Sequence, residues 1–189
     1  MSEGVKDHEI VSIYPLTDAQ REELLSVQRE CVFNWATKDS WPVGVIMSYV
    51  WAKGSVWLTA GEHRHRIAAI RRNPKVSVVV TSTGTRLGPA KTITIKGIAK
   101  LHEDLETKKW FYHALAYQNP DEGAAAAFET RLDSPLRIVI EVKPEKWITF
   151  DGIKFGADTA GVLKPEDRGP MLSSDSRRLP DLLKSKGME

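Results

Sequence analysis

Residues 91–101 read Lys-Thr-Ile-Thr-Ile-Lys-Gly-Ile-Ala-Lys-Leu, and their alternation restricts the fold more than any other run in the chain. Ile93 and Ile95 fall on one side of an extended backbone. Thr92, Thr94 and Lys96 fall on the other, which is the period of a strand with one buried face. Shorter runs share that character. Residues 31–37, 42–51, 55–59 and 75–80 are rich in β-branched and aromatic side chains. Residues 136–142 alternate again, and 146–150 form a further strand after Pro144. Between these runs lie turn residues: Lys38-Asp39-Ser40, a hairpin at Ala52-Lys53-Gly54, and a glycine- and hydroxyl-rich loop over 81–90. Strands joined by short turns, with helices inserted rather than alternating regularly, imply a mainly β (α+β) architecture. The expected form is an antiparallel barrel with peripheral helices.

The helices announce themselves by their caps. Thr17-Asp18-Ala19-Gln20 has the form of a capping box, and the helix it starts ends near Glu30 with Leu24, Val27 and Cys31 on one face. Glu103-Asp104 places negative charge at the start of a helix running to about Gln118. A second short helix, with a run of four alanines, covers 122–130. From Gly156 onward the composition turns to Gly, Pro, Ser and charge, with little periodicity. The expected organisation is therefore an N-terminal arm over 1–16, one barrel domain over 17–155, and a C-terminal tail or arm over 156–189.

Residues 55–80 carry the candidate site. Ser55-Val56-Trp57-Leu58-Thr59 is a strand, and Ala60-Gly61-Glu62 breaks its alternation and turns the chain. A short helix follows from His63 or Arg64 to Arg72, stopped at Asn73-Pro74 because the residue before proline leaves helical geometry. A helix start after a glycine turn offers unpaired N–H groups and the positive end of a dipole to an anion. Arg64 and Arg66 add planar forks matched to phosphate oxygens.

Composition excludes more than it selects. With 41% hydrophobic and 28% charged residues, the 189-residue chain is ordinary for a soluble globular protein. A net charge of +2 gives no case for nucleic acid or an anionic membrane. No apolar run approaches the ~18–20 residues of a membrane span. The N-terminal MSEGVKDHEI lacks the basic start and apolar core of a secretory signal. The single cysteine, Cys31, lies among apolar residues and reads as a small buried hydrophobe. These features fit a cytoplasmic protein. The five histidines show no i, i+4 pair with a carboxylate, so no metal site is expected.

The order of motifs resembles the pyridoxamine 5′-phosphate oxidase-like, FMN-binding split-barrel family. Thr59, Arg66, Ile70 and Asn73-Pro74 match its strand, basic residue, apolar residue and Asn/Asp-Pro in the family's order and spacing. Upstream, the run from Trp41 to Val50 with Lys53-Gly54 resembles the preceding hairpin, and Lys91 to Ala99 resembles the family's V-x-I-x-G-x-A strand. The resemblance spans roughly Leu24 to Phe155. It implies a split barrel that dimerises, with a flavin in a groove between the two chains. The flavin supplies the hydride or electron chemistry, so no catalytic residue need be visible and none is assigned.

The resemblance also places the cofactor contacts. Arg66 would bind the FMN phosphate with Arg64 or His65 beside it, and Thr59 would donate its hydroxyl to phosphate or ribityl oxygens. Val45, Ile46, Met47 and Ser48 would pass near the ring, mostly through backbone groups. Lys91 and Thr92 occupy the place where the oxidase has a polar residue reaching the flavin. Trp147 would approach from the partner chain. Two departures matter. The family's Ser-Arg-Lys phosphate motif is here Arg64-His65-Arg66, and its C-terminal Trp-Arg-Leu-His-Asp-Arg substrate motif is missing. Oxidation of vitamin B6 phosphates is therefore not expected, and the small-molecule substrate stays open. The alternatives are a deazaflavin coenzyme on the same barrel, a protein that stores or senses flavin, and haem bound through His63 or His65. Haem stands last, because a lone histidine beside arginines is more often a surface residue.

Overall fold

The computed structural model describes residues 10–188, so the first nine residues of the expected arm, with His8, lie outside it. Seven strands form one antiparallel sheet: β1 (Glu30–Ala36), β2 (Pro42–Ser48), β3 (Val50–Ala52), β4 (Ser55–Gly61), β5 (Lys75–Thr81), β6 (Lys91–His102) and β7 (Arg137–Asp151). Their spatial order is β2-β1-β5-β6-β7-β4-β3. The two edge strands, β2 and β3, are consecutive in the chain and separated only by Tyr49. A flat sheet cannot place both edges one residue apart, so the sheet rolls up. The edges meet at Tyr49 without hydrogen-bonding to each other, and the result is a split barrel.

Tyr49 is held on every side. Its ring is fully buried, and its hydroxyl donates to the Leu25 carbonyl at 2.9 Å. Its backbone N–H donates to the Arg29 carbonyl at 3.2 Å, and its carbonyl accepts from Gln118 Nε2 at 2.9 Å. These anchors explain why the single strand expected over 42–51 is broken into β2 and β3. The helix α1 (Asp18–Val27) stops the barrel, with Leu24 and Leu25 packed into the core beside Phe33, Leu58, Ile93 and Ile95. Its capping box is formed as the sequence predicts, with Thr17 Oγ1 accepting from the Gln20 N–H and Gln20 reaching back to the Thr17 N–H. A second helix, α2 (His65–Arg72), buries Ile67, Ala69 and Ile70. Two more, α3 (Leu105–Ala116) and α4 (Glu122–Leu132), cover the sheet where Trp57 and Val139 meet Phe111, Tyr112 and Leu115.

The alternation of 91–101 is realised as read: Ile93 and Ile95 are fully buried, and Thr92 and Thr94 sit on the opposite face. Cys31 is buried against the core, and loss of solvent pushes its thiol up to about 12, with Glu30 adding to the shift. Elsewhere long-range pairing overrides local signals. The strands expected at 136–142 and 146–150 are one 15-residue strand, β7. Pro144 does not end it because a bulge takes up the irregularity: Lys96 pairs with Lys146 and Gly97 with Pro144, leaving Glu145 extra. Gly97 is needed there, since a Cβ would lie 2.5 Å from the Lys143 carbonyl oxygen. Likewise β4 continues through Ala60 to Gly61, because Ile138 and Arg137 pair with those residues.

After β7 the chain turns into α5 (Gly152–Thr159) and then α6 (Leu179–Ser185), neither of which buries a residue. The chain between them returns to the arm. The Gly169 N–H donates to the Ile13 carbonyl at 2.8 Å, and Tyr14 Oη donates to Asp158 at 2.6 Å. No helix among the described residues is long and apolar enough to cross a membrane.

Candidate anion-binding site

Where β4 runs into α2, the wall of the barrel opens into a cavity of about 460 Å³. Thr59 and Gly61 come from β4, His63 and Arg64 from the turn, Arg66 from the first turn of α2, and Arg137 from the start of β7. Gly61 and Arg137 are in register across the sheet, which fixes the two walls against each other. The His63 ring lies beside Gly61, where a Cβ would come within 2.8 Å of it and push the ring aside.

Arg66 is half-buried and contacts one residue of β1 and one of β2. Its guanidinium carbon is 5.5 Å from the centre of the Trp35 ring, and one terminal nitrogen is 3.6 Å from Met47 Sδ. Its Nε is buried and has no hydrogen-bond partner. Arg137 Nε is in the same condition. Loss of solvent, and then the neighbouring Arg64, lower the pKa of Arg66, but an arginine remains charged. The nearest acid in sequence, Glu62, is engaged with Arg71, which also bonds Glu103 at 3.1 Å. The cavity thus presents three guanidiniums and an imidazole, with no carboxylate among its lining residues. The helix start adds to this polarity, since Arg64 occupies the N-cap of α2 and no side chain caps the helix.

The sequence-predicted residues divide by position. Thr59, Arg64 and Arg66 meet at the cavity, and Met47 reaches it through Arg66. His65 does not line it; His63 does, although both side chains are exposed. On β2 the side chains of Val45 and Met47 turn toward the core, whereas Ile46 and Ser48 face outward. β2 pairs only with β1, so its other backbone edge is unpaired. Lys91 and Thr92 lie far from the cavity. Lys91 pairs with Asp151, at the end of β7 opposite Arg137. The 15-residue β7 separates them by roughly 45 Å along the strand, at about 3.3 Å per residue. Trp147 packs within its own chain, edge-on to Trp51 at 6.0 Å and under the Arg21 guanidinium at 5.0 Å. Sequence alone does not single out Arg137: its only local signal is a charge preceding the apolar run Ile138-Val139-Ile140, and its pairing with Gly61 is long-range. Among the described residues, no group of three or more His, Cys, Asp or Glu is placed to hold a metal.

Comparison with known proteins sets this site in context. The family model described as pyridoxamine 5′-phosphate oxidase matches residues 16–151. No curated protein matches the chain. A conserved hypothetical protein from Mycobacterium tuberculosis superimposes with a TM-score of 0.65 at 16% identity, over 77% of this chain and 90% of that one. An F420 reductase superimposes at 0.52 with 19% identity, over 67% and 94% of the two chains. A haem storage protein from Vibrio cholerae does so at 0.54 with 13% identity, over 71% and 93%. At these identities the likeness is one of fold, and proteins named for different ligands share it.

The Thr59 hydroxyl donates to the Ile138 carbonyl at 2.7 Å, so its proton is committed within the sheet and only its lone pairs face the cavity. Thr59→Val should therefore destabilise the ligand-free protein by about 1 kcal/mol, read as a lower urea midpoint. A threonine whose hydroxyl served only a ligand would leave that midpoint unchanged.

Proposed function

The chain belongs to the pyridoxamine 5′-phosphate oxidase family, and on that footing we propose that it is a flavin-dependent oxidoreductase that binds FMN with its phosphate in the cavity beside Arg66. The observation that carries this reading is the buried, unpartnered Nε of Arg66 in a cavity lined by cations and no carboxylate. A half-buried guanidinium with an unmet donor and no counter-ion is costly, and an anion bound beside its group offsets part of that cost. Bound FMN would supply hydride or electron transfer to a small-molecule substrate. The protein's own groups fix its position. Arg64 and Arg66 would neutralise the phosphate. Thr59, expected from the sequence to donate to it, instead commits its proton to the Ile138 carbonyl and lines the cavity without a donor for the anion. The unpaired edge of β2, from Val45 to Ser48, offers backbone N–H and C=O groups to the polar rim of the ring.

A deazaflavin coenzyme would use the same cationic cavity through its own phosphate and is the second reading. It shares the supporting observation, and the fold is common to an F420 reductase. For haem the support is weaker, because His63, the histidine at the cavity, is flanked by guanidiniums that disfavour a metal cation.

The reading includes a homodimer. Across five strands, Ile46, Val32, Val79, Thr94 and Ile148 lie in one register row on the outer face. Ile46 is 71% exposed and Ile148 47%, an apolar stripe suited to a second copy. Since Lys91 and Thr92 cannot reach the cavity of their own chain, any part they take in flavin binding falls to the partner's flavin. The chain should sediment as a dimer and Ile148→Glu as a monomer. A wild-type monomer at micromolar concentration with FMN bound would contradict the shared groove.

Arg66→Ala tests the phosphate assignment. A charge-assisted hydrogen bond contributes about 1.5–3 kcal/mol, so FMN should bind roughly tenfold to a hundredfold more weakly. Riboflavin, which lacks the phosphate, should lose much less. Arg72→Ala, at the far end of α2, is the control and should change neither ligand. Flavin fluorescence titration decides it: equal losses for both flavins would place the phosphate elsewhere.

A further inference from the structure

Arg137 has no place in the family motif that singles out Arg66, yet the structure leaves it in the same chemical condition. It opens β7, its backbone N–H donates to the Ser134 carbonyl at 2.9 Å, and it pairs with Gly61 on the facing strand. Its side chain lines the cavity from β7, whereas Arg64 and Arg66 come from the start of α2. Its Nε is buried without an acceptor, and no carboxylate forms an ion pair with it among the described residues. Behind it stands Tyr112, whose buried hydroxyl also lacks a partner. Burial pushes that phenol up to about 12, with Arg137 pulling it down and the Asp133 carboxylate pushing it further up, so it stays neutral. Asp133 itself forms no ion pair with Arg137.

We propose that Arg137 makes the cavity selective for a terminal phosphate monoester over a phosphodiester. This rests on the reading that the cavity takes the flavin phosphate. A monoester presents three terminal oxygens and close to two negative charges near neutral pH. A diester presents two such oxygens and one charge. Arg64 and Arg66, both from the α2 side, suffice for two oxygens. The third guanidinium, coming from β7, adds a third positive charge to the same cavity. Three cations around a monoanion would also leave excess positive charge in a partly buried site, whereas a dianion balances more of it. The selectivity follows from the balance of charge, and it favours FMN over coenzymes whose phosphate is esterified twice.

The test titrates three flavins against wild type, Arg137→Ala and Arg137→Lys: FMN, the monomethyl ester of FMN, and riboflavin. Wild type should prefer FMN to its methyl ester by about tenfold or more. Arg137→Ala should weaken FMN by about tenfold to a hundredfold, while leaving the ester and riboflavin little changed. Arg137→Lys keeps a charge but not the planar fork, and should restore only part of the preference. The proposal is overturned if Arg137→Lys binds FMN as wild type does, or if Arg137→Ala loses all three flavins equally. It is also overturned if wild type binds FMN and its ester alike. If Arg66→Ala weakens FMN selectively and Arg137→Ala does not, only this proposal falls. If wild type shows no preference for FMN over riboflavin, the phosphate assignment itself falls with it.

Discussion

A sheet whose two edges are consecutive in the chain must curl, and here a single buried residue, Tyr49, joins them. The curl cannot close, because Tyr49 commits its hydroxyl and backbone groups to α1, to Arg29 and to Gln118 rather than to a ladder between β2 and β3. The site depends on that open seam. The seam leaves β2 with a free backbone edge, and Met47 on the same strand meets the guanidinium of Arg66, which also lies over Trp35. A closed barrel of this size would have filled the same space with apolar side chains.

The cations at the seam are the costly part of the design. Half-buried guanidiniums whose Nε atoms lack acceptors work against stability, and apolar residues of similar volume would pack more comfortably there. The fold tolerates them because the rest of the core is densely apolar, with Phe33, Leu58, Ile67, Ile93, Ile95 and Ile140 fully buried. An arrangement that opposes stability and finds no counter-ion among the described residues is best accounted for by an anion arriving from outside.

Much of the fold is legible in the sequence because its signals are local. The period of two at Ile93 and Ile95, the capping box at Thr17, and the Asn73-Pro74 stop each act within a few residues, and each is present in the structure. What the sequence hides is long-range. Nothing near Pro144 announces a bulge that carries β7 past it, since the device lies on Gly97 of another strand. The site obeys the same rule. Arg64, Arg66 and Thr59 lie within one short stretch and are legible together, whereas Arg137 reaches the cavity only through its pairing with Gly61. Sequence alone offers both His63 and His65 as neighbours of the site. Both are exposed, and only His63, whose ring lies beside the bare backbone of Gly61, borders the cavity.

The central claim, that the cationic cavity is a seat for a flavin phosphate, has a direct spectroscopic test. Phosphorus NMR of FMN bound to the protein reports the ionisation of its phosphate, which in free solution titrates near about pH 6. Held among guanidiniums, the bound phosphate should remain dianionic well below that pH, with a resonance that stays constant where that of free FMN moves. A bound resonance that titrates together with free FMN would place the phosphate in solvent and contradict the account.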